Sequence, residues 1–467
     1  MRAVRHNGSY REKGQSMKIL TVRKTITAVA AVAAASMALA GCSNPTAGGG
    51  AGAGADPSSA DYWPSATAKL DGVELKMWAA QTSNKIPAKV IEGFEKATGA
   101  KVSVETIPDP YEQNVQTKVT TGDVPNLAMW QPTKSMLAGF IAQDKLQKLD
   151  KAPWVGNYVE GVADAGGVVD GTRYAAMVSM PSVQGVFYNK DVFKKAGVTD
   201  MPKNWNEMVE AARKIKSTGA ADSAFFEAGG SQWTTQYAVS VQLADAAKKG
   251  LWDRINTGEE KFTDKTVQGA VDNYKALFDE GLYNKDATTA KDSDEAAALW
   301  EGKTGMFIAV GGLFNSVAAL AKNDKTALDE KIGFFPISTE GNIGTIIPEQ
   351  TNAVISFKSG DAKKDAAARQ FINYWMSDGY ADFVKDQNVI SVLKDVKSPD
   401  TIPQALLDAA DSIKTGVGSM QSLAIANPDL YLYLAEMITG TKKPEDVTKA
   451  TQDQFAQLAK AQGAKGF

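Results

Sequence analysis

The chain has 467 residues, 43 % of them apolar, with 51 basic and 54 acidic side chains and a formal net charge of −3. Its one histidine is His6 and its one cysteine is Cys42, so Ser-His-Asp, Cys-His and most zinc chemistries have no residues to run on beyond position 42. Carboxylate-only hydrolysis and oxygen-ligand cation binding stay open.

Residues 1–16 fit no part of a targeting signal, and Met17 reads as the initiator. Lys18, Arg23 and Lys24 form a short basic region. A fifteen-residue apolar run, Ile26 to Ala40, follows and ends in Leu39-Ala40-Gly41-Cys42. A basic start, a short apolar segment and a small-residue cleavage site make a secretory signal. The run is shorter than the roughly 20 strongly apolar residues a spanning helix needs. Leu-Ala-Gly-Cys resembles a bacterial lipobox, which implies cleavage before Cys42 and lipid on its thiol. Positions 1–41 hold seven basic residues and one acidic residue. The chain from Cys42 onward therefore has 44 basic and 53 acidic residues, a net of −9. That balance gives no electrostatic footprint for nucleic acid, and a monomer is expected.

Ser43 to Ser59, rich in Gly, Ala, Pro and Ser, reads as a flexible tether with a reach of roughly 24 Å. The folded body is predicted to start near Leu70. Val73–Trp78 alternates as a strand, Lys85–Thr98 is a helix with Val90, Ile91, Phe94 and Ala97 on one face, and Gly99 is its stop. Val102–Ile107 is a strand, Tyr111–Thr121 a helix and Leu127–Trp130 a strand. Gly185–Tyr188, Ala224–Phe226 and Gly305–Ala309 read as strands. Trp205–Lys216, Thr266–Glu280 and Ala362–Ser377 read as helices. Alternating strand and helix units argue an α/β sheet with parallel strands. Asp292-Ser293-Asp294-Glu295 lacks the glycine and spacing of a calcium loop, so it is read as a helix start capped by Asp292 or Ser293. No phosphate loop, nucleophile elbow or dinucleotide fingerprint is present, and neither cofactor nor metal is expected.

Six segments, in order, resemble the extracellular solute-binding proteins, family 1, the sugar receptors of ABC importers. They are Phe94–Val104, Thr121-Gly122-Asp123-Val124-Pro125-Asn126, Tyr188-Asn189-Lys190-Asp191, Pro202-Lys203-Asn204-Trp205-Asn206-Glu207, Glu301–Met306 and Gly311-Gly312. Asn126 stands where the family has Asp, and Gly311-Gly312-Leu313-Phe314 departs from its Gly-x-Trp. The resemblance implies an α/β, two-lobed periplasmic-binding-protein-like fold (type II) with the ligand cleft between the lobes. It implies crossings near Ser179–Gly185 and Ile347–Thr351. The expected organisation is a signal over 1–41, a lipidated cysteine and linker over 42–69, and lobe 1 over 70–181 and 349–395. Lobe 2 is expected over 182–348, with a helical part over 396–467 mainly on it.

A sugar needs a flat aromatic face and polar side chains around it. Trp130 and Gln131 end a strand, where the crevice of an open α/β sheet lies, and Thr133 follows. Glu227 and Trp233 follow the strand Ala224–Phe226, and family likeness places ligand contacts there. Phe314 is the substitute for the missing tryptophan. Tyr111, Gln81, Thr82 and Asn84 sit at other strand ends as hydroxyl partners. The reading is a lipid-anchored receptor on the extracellular face of the bacterial cytoplasmic membrane. It takes a carbohydrate ligand by lobe closure and hands it to the transmembrane subunits of an ABC permease, without catalysis. The alternatives are a secreted carboxylate-only glycosidase, of whose acid pair Glu227 is one candidate, or a receptor for a non-sugar solute such as a polyamine, which would favour acidic cleft residues over tryptophans.

Overall fold

The computed structural model describes residues 62–81 and 85–467. The signal segment, Cys42, most of the tether, Thr82 and Asn84 lie outside the described residues. In chain order the strands are β1 (Glu74–Ala80), β2 (Lys101–Ile107), β3 (Leu127–Met129), β4 (Val168–Val169), β5 (Thr172–Arg173), β6 (Ala175–Met177), β7 (Ser182–Asn189), β8 (Ser223–Phe225), β9 (Thr304–Val310), β10 (Ile332–Phe335), β11 (Thr345–Ile347), β12 (Ala353–Ser356) and β13 (Val417–Gly418).

Two sheets carry two lobes. The first has the order β2-β1-β3-β12-β6. Its β2, β1 and β3 run parallel, and β12 runs antiparallel to both β3 and β6. The second has the order β13-β11-β7-β9-β8, with β10 also on β7. Here the long β7 is antiparallel to β9, β10 and β11. The expected parallel arrangement thus holds for the strand-helix units, while the strands beside the crossings make both sheets mixed.

The helix over Ala88–Thr98 starts three residues later than its pattern predicts, because Pro87 takes the cap position. Gly99 ends it in the left-handed region at φ 80°, and its N–H donates to the Glu95 carbonyl. The helix Asp292–Glu301 is capped at Lys291, not at Asp292 or Ser293. The Asp294 carboxylate reaches back to the Lys291 N–H at 2.9 Å.

Several of the motifs that resemble the family are folding devices. Asp123 binds the ammonium groups of Lys76 at 2.5 Å and Lys118 at 2.6 Å, and the Asn126 carboxamide accepts the Lys76 N–H at 2.9 Å. The turn thereby staples the entry of β3 to β1. Asn189 caps the helix Lys190–Lys195 through the N–H groups of Asp191 and Val192, and its amide donates to the Leu299 carbonyl at 2.8 Å. Asn204 accepts the Glu207 N–H at 3.0 Å, while the Glu207 carboxylate accepts the Lys203 N–H at 2.9 Å. That reciprocal pair opens the helix Trp205–Thr218.

The chain passes between the sheets three times. Val178–Pro181 joins β6 to β7, and Pro348–Asn352 joins β11 to β12. The third passage is residues 388–403, around the expected change of lobe at 395/396. It leads from the helix Tyr380–Gln387, packed on Ala88–Thr98, to the helix Gln404–Asp411, packed on β7 and β10. Asn352 ties the first two passages together. Its carbonyl accepts the Val178 N–H at 2.8 Å. Its carboxamide donates to Ser179 Oγ at 3.0 Å and to the Met180 carbonyl at 2.8 Å, and accepts the Glu349 N–H at 2.6 Å.

Candidate functional site

A cavity of 340 Å³ lies between the lobes. Both tied passages form its floor, through Ser179–Ser182 and Glu349–Asn352. Lys85, beyond the C-terminal end of β1, contributes from the first lobe. Gly311 and Gly312 contribute from the second, at the start of the helix Gly311–Leu320 that follows β9. Two strand ends thus face each other across the passages, which is where open α/β sheets hold ligands.

The chemistry of this cavity is one cation, one anion and a set of amides and hydroxyls, beside an apolar wall that includes Val389, Ile390, Ile402 and Leu406. Burial pushes the Lys85 ammonium down, and the Glu349 carboxylate opposes that shift. Glu349 also accepts from Ser182 Oγ at 3.0 Å. Asn315 and Asn388 add further polar groups. Among the described lining residues none is aromatic. The arrangement can hold a hydroxylated or dipolar solute by charge-assisted hydrogen bonds rather than by ring stacking.

None of the described residues expected as ligand contacts lines this cavity, whereas both expected crossings and Gly311-Gly312 do. Four of them are corrections. Trp130 is fully buried, its indole N–H donates to the Met136 carbonyl at 3.1 Å, and its ring packs on Phe140 and Tyr111. Tyr111 is buried with its hydroxyl donating to the Met129 carbonyl at 2.6 Å. Phe314 is buried against Phe187, ring centroids 5.3 Å apart. All three side chains turn into a lobe core because helix packing behind the strand ends needs apolar volume there. Glu227 is buried too; it accepts from Tyr274 Oη at 2.7 Å and Thr234 Oγ1 at 2.9 Å. Loss of solvent pushes its carboxyl up to about 7, against the pull of those two donors. Glu295 lies within electrostatic reach and is itself pushed well up by burial and by Glu227.

Three others keep accessible surface. Gln81 is exposed, and its backbone N–H extends the β1–β2 pairing to Ile107. Gln131 is half-buried and donates to the Pro348 carbonyl at 3.3 Å, joining the end of β3 to the second passage. Trp233 is half-buried, edge-on to Tyr237 at 5.8 Å. Burial holds the Tyr237 phenol well up, and Glu349 adds to the shift. Thr133 is buried at a helix start, 3.3 Å from Ser135 Oγ. Thr82 and Asn84 lie outside the described residues.

Sequence reasoning missed Lys85, Glu349 and Asn352. The proline-marked break Ile347-Pro348-Glu349-Gln350 was the available signal. A residue at a lobe crossing faces the cleft wherever the two sheets meet edge to edge.

Two lobes on mixed sheets, joined by three passages around a polar cavity, define a solute receptor of the two-domain binding-protein class. Residues 79–382 match the bacterial extracellular solute-binding protein family, and the chain belongs to it. A binding protein of Brucella abortus is 26 % identical over 343 residues, covering 71 % of this chain and 79 % of that protein. The diacetylchitobiose binding protein DasA of Streptomyces coelicolor is 24 % identical over 417 residues, 86 % of this chain and 87 % of its own. The unliganded structure of RafE from Streptococcus pneumoniae superposes with a TM-score of 0.69 at 17 % identity, covering 84 % of this chain and 99 % of that one. The expected family and the two-lobed α/β fold are therefore confirmed.

The burial of Trp130 makes its removal a packing defect. Trp130→Ala should lose about 3–5 kcal/mol of folding stability in denaturant titration; a stability within 1 kcal/mol (about a tenth to a fifth of a domain's total) would return it to the surface. The carboxyl of Glu227 makes a second forecast. Ionising it costs more in the folded protein than in the unfolded chain. Its contribution is fully present below about pH 4.5 and is lost as pH rises through about 7. Glu227→Gln should flatten this fall, gaining up to about 3 kcal/mol relative to the parent at pH 8 over pH 4. Parallel stability-against-pH curves would contradict the assignment.

Proposed function

We propose that this chain is a lipid-anchored receptor that takes up a sugar or oligosaccharide between its lobes and presents it to the permease of an ABC importer. The observation that carries the reading is the polar cavity whose floor is the pair of passages tied by Asn352. A solute there touches both lobes, so its binding energy favours whichever lobe separation makes both sets of contacts. The likeness to a protein named for diacetylchitobiose supports a carbohydrate ligand. Lys85 and Glu349 are the proposed hydrogen-bonding pair, with Gln81, Gln131 and Trp233 as further contacts. We assign 70–181 and 349–395 to one lobe and 182–348 with most of 396–467 to the other. Cys42 is the proposed lipid attachment, with the tether between it and the body. No helix among the described residues is long and apolar enough to cross a membrane. At Cys42, two acyl signals at about 0.8 kcal/mol per buried CH₂ would hold the protein firmly.

The aromatic-free lining favours a second reading on the same fold: a small dipolar solute held by Lys85 and Glu349. A thermal-shift panel of diacetylchitobiose, raffinose, D-galactose and 4-aminobutyrate, a zwitterion, separates the two, because only a ligand of the native state raises the melting temperature. The sugar reading expects a shift with one of the sugars and its recovery unchanged afterwards. A shift with 4-aminobutyrate alone favours the second reading, and cleaved sugar favours a hydrolase. Lys85→Met and Glu349→Gln should each weaken the binding of that ligand by about 30-fold or more with the fold intact. Undiminished affinity in both would move the site elsewhere. In cells, Cys42→Ser should leave the protein soluble or unprocessed; unchanged membrane fractionation would remove the anchor.

A further inference from the structure

The second lobe contains a second, partly open recess behind β7. Gln184, Gln236, Ser240, Trp252, Ser419 and Gln421 line it. Gln184 is fully buried, yet neither its amide nitrogen nor its oxygen has a hydrogen-bond partner. The indole N–H of Trp252 is likewise buried and unpartnered. So is the hydroxyl of Thr345, which stands directly opposite Gln184 across the β7–β11 pair, on the same face. Buried polar groups are nearly always paired, because each unpaired one forfeits its hydration. Three such atoms on the lining of one small recess, with the Thr345 hydroxyl beside Gln184, is a concentration that packing does not explain. An apolar residue at 184 would fill the same space without the penalty.

The recess has about 10 Å³ of free volume, room for one water-sized group. The group it suits must both donate and accept, since Gln184 offers each and Trp252 offers only a donor. Among its described lining residues none is charged, which disfavours an ion. Its outer wall is tied to the lobe boundary. Gln421 donates to Gln236 at 3.5 Å, and the helix Met420–Leu423 packs against the first-lobe helix Lys134–Ala142. Gln184 itself lies two residues beyond Ser182 of the cavity floor.

Resting on the receptor reading, we infer that this recess is a specificity subsite for one uncharged hydroxyl of the captured solute, the end of a hydroxymethyl arm. Gln184 holds the oxygen from both sides and Trp252 completes the bond. A deoxy or charged group in its place leaves the amide unpaired and is rejected.

The indole N–H of Trp252 reports on the recess independently of any larger ligand. In ¹⁵N-labelled protein its signal is assigned with Trp252→Phe, and glycerol is the probe that carries the hydroxymethyl group. Glycerol should move the Trp252 signal saturably, beyond any drift of the other indoles. Gln184→Leu should abolish that response while melting at the parent temperature or above. Should Gln184→Leu fail to fold, Gln184→Met, with similar reach and a flexible thioether, takes its place. The parent should also lose at least tenfold affinity for a panel sugar when its hydroxymethyl is replaced by methyl. An unmoved Trp252 signal in the parent, or an unchanged response in the folded variant, overturns the subsite. A panel sugar that raises the melting temperature without touching Trp252 overturns the subsite alone. A glycerol response with no binding of any panel sugar overturns the sugar reading and leaves the subsite standing.

Discussion

The architecture depends on Asn352. Two chain passages run side by side between the sheets, and every backbone group there that the sheets do not pair must find another partner. Asn352 supplies several of them, with its carbonyl on the Val178 N–H, its amide on the Met180 carbonyl and its amide oxygen on the Glu349 N–H, and it also donates to the Ser179 hydroxyl. It is buried at 2 % exposure, so these bonds have little competition from water. The tie fixes the two passages to each other while leaving each lobe's sheet to close on itself. A hinge of this kind bends about a defined line instead of loosening, and the same line is the floor of the cavity. The positions of Ser182 and Glu349 follow from it, and so does the distance across which Lys85 acts.

The cavity's lining follows from that geometry as well. The passages bring polar side chains, Ser182, Glu349 and Asn388, beside apolar ones, Met180, Pro181, Val389 and Ile390. Aromatic side chains go behind the strand ends, where helices cover them. Trp130, Tyr111 and Phe140 make one such cluster, and Phe187, Phe307, Phe314 and Phe334 another. The rings at strand ends that suggest stacking platforms in the sequence are the pillars of the two cores. On the proposed reading, recognition falls to a charged pair and to amides.

Fold and family were legible for a definite reason. Asp123, Asn189, Asn204 and Glu207 each make a bond within a few residues of themselves, at turns and helix caps, so that part of their chemistry survives in the linear pattern. Helix periodicity and glycine stops are local in the same sense, and element boundaries fell within a few residues. The site was less legible because it is made by pairing distant segments. Lys85, Glu349 and Asn388 meet only once three passages are laid side by side, and nothing around each one in sequence announces the others. Glu227 misled for the complementary reason: a carboxylate after a strand reads as a ligand contact, whereas Tyr274, 47 residues away, turns it inward as a buried acceptor. The start of the Asp292–Glu301 helix shows the limit of local reading at its smallest, since the cap shifted by one residue to let Asp294 reach back.

The central claim, that the lobes close on a solute about the line held by Asn352, is tested most directly by an interlobe distance. Spin labels on the exposed Lys96 of the first lobe and Lys261 of the second, introduced as cysteines into the chain with Cys42 replaced by serine, report that distance by pulsed resonance. With the panel ligand that raises the melting temperature most, the account predicts a narrow distribution that moves to a shorter mean on saturation. It predicts a broad distribution in Asn352→Ala without ligand. A distribution that stays the same from the unliganded to the saturated state would contradict it.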